Sequence, residues 1–202
     1  METITYFTGL DLGQTTDYSA LAVLEQTREP AHDDPGRMVK HYAVRHLQRF
    51  PLGTPYTAIC TEIGELFAIN PLIRTHLVVD QTGVGRPVVD LLAQARVQAR
   101  IRAITITGGQ QASLAADGMH VPKKELVNTL QVLLQTRRLQ VAPALPEART
   151  LVKELLDFKV KITESAHETF GNLREGTHDD LVLAIMLAAW QGEHARELWI
   201  HC

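Results

Sequence analysis

Cysteine is scarce in this 202-residue chain: there are two, Cys60 and Cys202. Two cysteines make no disulfide framework and no Cys-x-x-Cys metal site, and they fit a reducing, cytoplasmic setting. An excess of positive charge is also missing. Twenty Lys and Arg face 23 Asp and Glu, for a formal net charge of −3. Global charge therefore does not advertise a nucleic-acid binder. It does not exclude one, because acids that bind metal lower the total without repelling DNA once the metal is in place. Long hydrophobic runs are absent; the longest clean one, Leu181 to Trp190, is too short for a bilayer, so no membrane partner is expected. The start "METITYFTGLDLG" has no basic n-region and no small-residue cleavage site, so no secretory signal is read there. No Gly-Lys dipeptide occurs anywhere, which excludes a P-loop of the usual form. Repeats, low-complexity tracts and linkers are lacking too. What is present is ordinary globular composition, 45% hydrophobic and 21% charged, in a chain long enough for one sizeable core. One domain over residues 1–202 is expected.

Hydrophobic periodicity sets out the elements. "ITYFTGLDLG", "YSALAVLEQ" and "MVKHYAVRHLQRF" read as three antiparallel strands joined by turns. "TPYTAICTEIGELFAIN" has Ile59, Ile63, Leu66 and Phe67 at helical spacing. "HLVVDQTGVG" is a short buried strand with an acid at its end. "RPVVDLLAQARVQA" is a helix with Pro87 in its first turn, where proline is tolerated. "IRAITIT" is another β-branched strand, and "GGQQASLAADGMH" a polar loop. "VPKKELVNTLQVLLQTRR" is an amphipathic helix with Leu126, Leu130, Leu133 and Leu134 on one side; "LPEARTLVKELLDF" is a further helix. "KVKITES" onward reads as a two-stranded ribbon, and a last helix begins near Asp179. Antiparallel strands followed by strand-helix alternation predict an α/β domain: a mixed sheet of about five strands flanked by helices.

Acids stand where these elements end. Asp11 closes the first strand, Asp80 the fourth, and Asp179 and Asp180 open the last helix. Ligands of open α/β sheets bind near strand carboxyl ends, where acids distant in sequence converge. Crowded carboxylates repel one another unless a cation sits among them, and an all-oxygen donor set suits Mg²⁺ or Mn²⁺. Each acid also has a plain local reading. Asp11 and Asp80 suit turns, and Asp179 and Asp180 suit the first turn of a helix, at the positive end of its dipole. Against that, Asp11 and Asp80 adjoin otherwise apolar strands, where an unpaired charge is costly. Asp179 and Asp180 lie about 100° apart around a helix, so either or both are candidates.

Three stretches together, "GLDLGQTTDYSALAVLE", "LVVDQTGVGRPVVDLL" and "HDDLVLAIMLAAW", resemble the nuclease domain of the large terminase subunit of tailed bacteriophages, a member of the RNase H-like, RuvC-like class. The resemblance runs from the first strand to the last helix, and its D-x-T-G-x-G and H-D-D pieces carry most of it. It implies an RNase H-like mixed sheet with the first three strands antiparallel. It implies that Asp11, Asp80 and an acid of the Asp179–Asp180 pair hold two Mg²⁺ or Mn²⁺ ions. The implied reaction is hydrolysis of phosphodiester bonds in double-stranded DNA, cutting concatemeric viral DNA during packaging in the cytoplasm of a bacterial host. The implied partners are a terminase ATPase domain, a small terminase subunit or a portal. The missing P-loop means that this chain carries no ATPase motor of its own.

Around the acids, His178 is a candidate to support the ligands, although a helix-entry residue is its plainer reading, and Gln14 is a candidate to line the rim, where a turn role serves it equally well. Lys159 and Lys161 in the late ribbon are the better candidate contacts to the DNA backbone; Lys123, Lys124, Arg137 and Arg138 bracket the amphipathic helix and read by default as a solvated face, with Lys123 and Lys124 as further candidates for phosphate contact. Two other readings stay open. "GLDLGQTT" also resembles the first phosphate loop of sugar kinases and actin-like ATPases, although no second Gly-rich loop is evident. A domain that binds DNA or a partner without cutting is the other.

Overall fold

The computed structural model describes residues 4–13, 17–83, 86–95, 97–158 and 179–195. Strands β1 (Thr5–Asp11), β2 (Ala20–Pro30) and β3 (Met38–Arg49) form the antiparallel meander read from the sequence. Helix α1 (Tyr56–Phe67) leads to β4 (Thr75–Asp80), and α2 (Arg86–Gln94) leads to β5 (Ala99–Thr107). The hairpin β6 (Ser113–Ala115) and β7 (Gly118–Pro122) follows, then α3 (Lys123–Gln135), β8 (Leu139–Val141), α4 (Ala148–Asp157) and α5 (Asp180–His194). Among these, no helix is long and apolar enough to cross a membrane.

The strands make one mixed sheet in the order β6-β7-β5-β4-β1-β2-β3-β8. Strands β4, β5 and β7 run parallel to β1, and β8 runs parallel to β3. The sheet is therefore wider than the expected five strands. The three additions have a common cause. β6 and β8 have three residues each and β7 has five. Such pieces show too few side chains for an alternation to register, so the β6–β7 hairpin read as a loop and β8 as part of the proline-rich turn between two helices. Leu134 also departs from expectation, at 40% exposed, while Val127 takes its place on the buried side of α3.

The core divides by strand parity. Phe7, Ala20, Ala22, Leu24, Val78 and Ile104 face α3, α4 and α5, whereas Leu10, Leu21, Leu77 and Val79 face α1 and α2. Successive side chains on a strand point to opposite faces, so each central strand feeds both cores and reads as a nearly unbroken apolar run. Helix α5 is buried almost all round, including Leu187 and Trp190, which explains its lack of a polar face. It crosses β1 at Gly9, where any Cβ would overlap the Ala184 carbonyl. Glycine is needed there for close approach.

Gly9→Ala therefore has to push α5 off the sheet. We expect it to cost about 1–3 kcal/mol or more in urea denaturation. Gly64→Ala is the control, because a Cβ at that position in α1 meets nothing within 4 Å. It should stabilise by about 0.5–1 kcal/mol through helix propensity. Equal effects of the two substitutions would contradict the close contact between β1 and α5.

Candidate metal centre

Strand register puts the predicted acids side by side. β1 and β4 are parallel with Leu10 opposite Val79, and one further step sets Asp11 opposite Asp80. Asp11 shares the parity of Phe7 and Gly9, and Asp80 that of Val78, so both occupy the face covered by α5. Asp180, the first residue of α5, is 5% exposed and comes to the same edge. Asp11 is also paired with Ala20, and Ala20 with Arg49. One row across the sheet thus reads Arg49, Ala20, Asp11, Asp80, at the carboxyl ends of the parallel strands.

The electrostatics show how closely the acids feel one another. The Asp11 carboxyl is held well above the usual carboxylate range, first by burial, then by Asp80, Asp180, Asp179 and Asp17. Its residue as a whole is half-buried rather than fully enclosed. Asp80 is raised by burial, against the opposing pull of the Thr82 hydroxyl and N–H and the charge of Lys123. Its Oδ1 accepts the Thr82 N–H at 2.7 Å, so the turn reading of Asp80 is correct as far as one oxygen goes. Asp180 accepts from Arg49 Nη2 at 3.3 Å, and the Arg49 guanidinium lies 3.8 Å over the Tyr18 ring. Among the described residues, no three His, Cys, Asp or Glu side chains form a ready-made cage for a metal ion. The acids converge and repel, and a divalent cation would have to draw them in.

The plain reading of the H-D-D stretch can be checked directly. Asp179 is the N-cap residue of α5, yet its side chain makes no capping hydrogen bond. The capping is done from elsewhere. Glu154 of α4 accepts the N–H groups of Leu181 at 3.0 Å and Val182 at 3.1 Å through Oε2. At those positions an N-cap side chain normally accepts. At the far end of α5, Lys40 Nζ donates to the carbonyls of Gly192 at 2.8 Å and Glu193 at 2.6 Å, and Gln26 Nε2 donates to the Gly192 carbonyl at 3.1 Å. The helix is thus held by an acid at its positive end and a base at its negative end.

No family model matches the sequence, and no curated protein matches it either. The fold does have solved counterparts. The large terminase nuclease from thermophilic phage G20c aligns with a TM-score of 0.58 at 21% identity, over 93% of this chain and 82% of that one. The same nuclease with bound zinc aligns with a TM-score of 0.57 at 21% identity, over 93% and 81%. The fold is that of a large terminase nuclease. At this identity the likeness establishes architecture, and the chemistry has to be argued from side chains.

Within the terminase-nuclease fold, the other sequence candidates fare differently. Gln14, Lys159, Lys161 and His178 lie outside the described residues, as does the predicted late ribbon. Lys123 follows β7 at the same edge of the sheet as Asp80 and acts on its charge. Lys124 donates to Gln110 Oε1. Arg138, read from the sequence as part of a solvated face, instead turns inward to Glu193 at 3.1 Å and the Lys40 carbonyl at 3.2 Å. Two residues were missed. Arg49 ends a strand, and strand-end arginines are too common to stand out. Glu154 left a signal: Ala148, Leu151 and Glu154 recur at threes on the buried face of α4, so an acid stood in an apolar stripe.

Glu154 also sets a pH dependence. Burial above all, with Asp180 adding to it, pushes its carboxyl up to about 7. A raised folded-state pKa means that the folded protein favours the protonated form. The stability from Glu154 is fully present below about pH 4.5 and is lost as pH rises through about 7. His76, lowered mainly by burial, works in the opposite direction. Glu154→Gln removes only the Glu154 contribution, so the parent's stability relative to this variant should fall between pH 5 and pH 7.5 in metal-free buffer. Denaturation of both proteins at the two pH values measures this, and a constant difference would refute it.

Proposed function

We propose that this chain is a metal-dependent DNA endonuclease that hydrolyses phosphodiester bonds, and that it cuts concatemeric viral DNA during genome packaging. The observation that supports it most is that Asp11 and Asp80 follow the last β1–β4 pair, Leu10 and Val79, on the face covered by α5, whose start brings Asp179 and Asp180 to the same edge. The donor set is all carboxylate, which fits Mg²⁺ or Mn²⁺. It is held at the carboxyl ends of parallel strands, where this class of sheet takes its ligands.

In this reading Asp11, Asp80, Asp179 and Asp180 hold two divalent ions. Such ions, when bound, lower the pKa of the attacking water and offset charge on the leaving 3′ oxygen. The protein's own residues orient and balance. The adjacent strands fix Asp11 beside Asp80, so that only the helix start needs to adjust. Thr82 fixes the Asp80 carboxylate through its N–H. Arg49 offsets the charge of Asp180. Lys123 and Lys124 open α3 at the edge of the sheet that Asp80 occupies, and they serve as phosphate contacts without reading bases. Lys159 and Lys161 are further candidates for the same task, and His178 and Gln14 for support of the ligands. The domain would work on double-stranded DNA in the host cytoplasm with a separate ATPase domain, a small terminase subunit or a portal.

The test is nicking of supercoiled plasmid with Mn²⁺, set beside thermal stability. Asp11→Asn and Asp80→Asn, and at least one of Asp179→Asn and Asp180→Asn, should reduce nicking to background while the fold is retained. Relief of repulsion should leave metal-free Asp11→Asn as stable as the parent or more so. Nicking should weaken as salt rises, since phosphate contacts release counterions. Four variants that nick as fast as the parent would defeat the proposal, and so would ATP hydrolysis by a parent that does not nick.

A further inference from the structure

Helix α5 reaches the site without a cap of its own. The N–H groups of Leu181 and Val182 are its second and third, and the Asp179 side chain bonds to neither. A single oxygen of Glu154 accepts both, from a helix that ends more than twenty residues earlier. Glu154 is 5% exposed, and its Oε1 has no hydrogen-bond partner among the described residues. Burying a carboxylate with one oxygen unsatisfied is costly. An Asp at the N-cap would ordinarily do the same task in place, with far less desolvation. The costlier arrangement achieves two things that a local cap does not. It leaves the Asp179 carboxylate unclaimed by its own helix, and it ties the start of α5 to α4.

We propose that Glu154 is a positioning residue for the metal-binding acids. It serves as a cap supplied from another helix, so that the first turn of α5 presents Asp179 and Asp180 to Asp11 and Asp80. The proposal rests on the reading of this edge as a metal centre. It has a specific consequence. Without Glu154, the bare N–H groups of Leu181 and Val182 become the nearest donors for Asp179, and capping competes with metal for that carboxylate. Gln at position 154 keeps an acceptor oxygen of the same reach. Asp keeps the charge but is one methylene too short to reach both N–H groups.

The experiment is calorimetric titration of the metal-free full chain with Mn²⁺, in the absence of DNA, on the parent and on Glu154→Gln, Glu154→Asp and Glu154→Ala. Loss of a partner that orients ligands weakens metal binding by about 10–100-fold. Glu154→Ala should fall in that range, Glu154→Asp should weaken binding in the same direction, and Glu154→Gln should restore it to within about threefold of the parent. Amide exchange at Leu181 and Val182 should accelerate in the Ala and Asp variants and not in the Gln variant. A merely structural cap would lower thermal stability and leave Mn²⁺ affinity unchanged in the folded protein. Should Glu154→Ala fail to fold, Glu154→Asp decides against Glu154→Gln. Parental Mn²⁺ affinity in the Asp variant, and in the Ala variant where it folds, overturns the proposal and leaves the metal centre standing. A parent that binds no Mn²⁺ overturns both, and is told apart by the parent titration alone.

Discussion

The contact on which the site depends is the one between α5 and β1. At Gly9 the helix backbone lies directly on the strand, with the Ala184 carbonyl where a side chain would otherwise be. That approach lets one buried helix cover the meander. It also brings the start of α5 level with the end of β1. Phe7 and Leu24 pack from the sheet side, and Leu126, Leu130 and Leu151 from α3 and α4. Both ends of α5 are held by charged side chains of the sign that its dipole favours, Glu154 at the start and Lys40 at the finish.

A second constraint works against the first. The packing that seats α5 also brings Asp179 and Asp180 toward Asp11 and Asp80, two carboxyls whose burial already disfavours charge. Arg49 compensates Asp180, and Lys123 acts on Asp80. What remains is an unbalanced group of acids beside an apolar core. A fold selected for stability alone would have little use for it, and a divalent cation would reverse the sign of the repulsion. Burial above all, with the charge of Asp180 adding to it, raises Glu154 to about 7 at the same helix start.

Much of the fold was legible because its signals are local. The three-strand meander, β4, β5 and the five helices of the described residues follow from apolar periodicity and from turn residues such as those around Pro35 and Gly36. Elements of three residues escaped, since β6 and β8 offer no repeat to detect. Arg138 was misjudged for a different reason. Its neighbour Arg137 is exposed while it is largely covered itself, and a one-residue change of direction at the end of a helix leaves no trace in composition.

The candidate site divides in the same way. Sequence alone determined which acids stand at the ends of which elements, because an aspartate after an apolar run is visible without any knowledge of the partner strand. Parity alone also determined that Asp11 lies on the same face of its strand as Gly9 and Phe7. Only tertiary structure decided that this face belongs to α5, that β1 lies beside β4 so that Asp11 meets Asp80, and that Arg49 lies within reach of Asp180. It alone decided that Glu154 caps α5. Strand order and helix docking bring together residues from opposite halves of the chain, and such contacts are set by how whole elements pack rather than by the residues next to them in sequence.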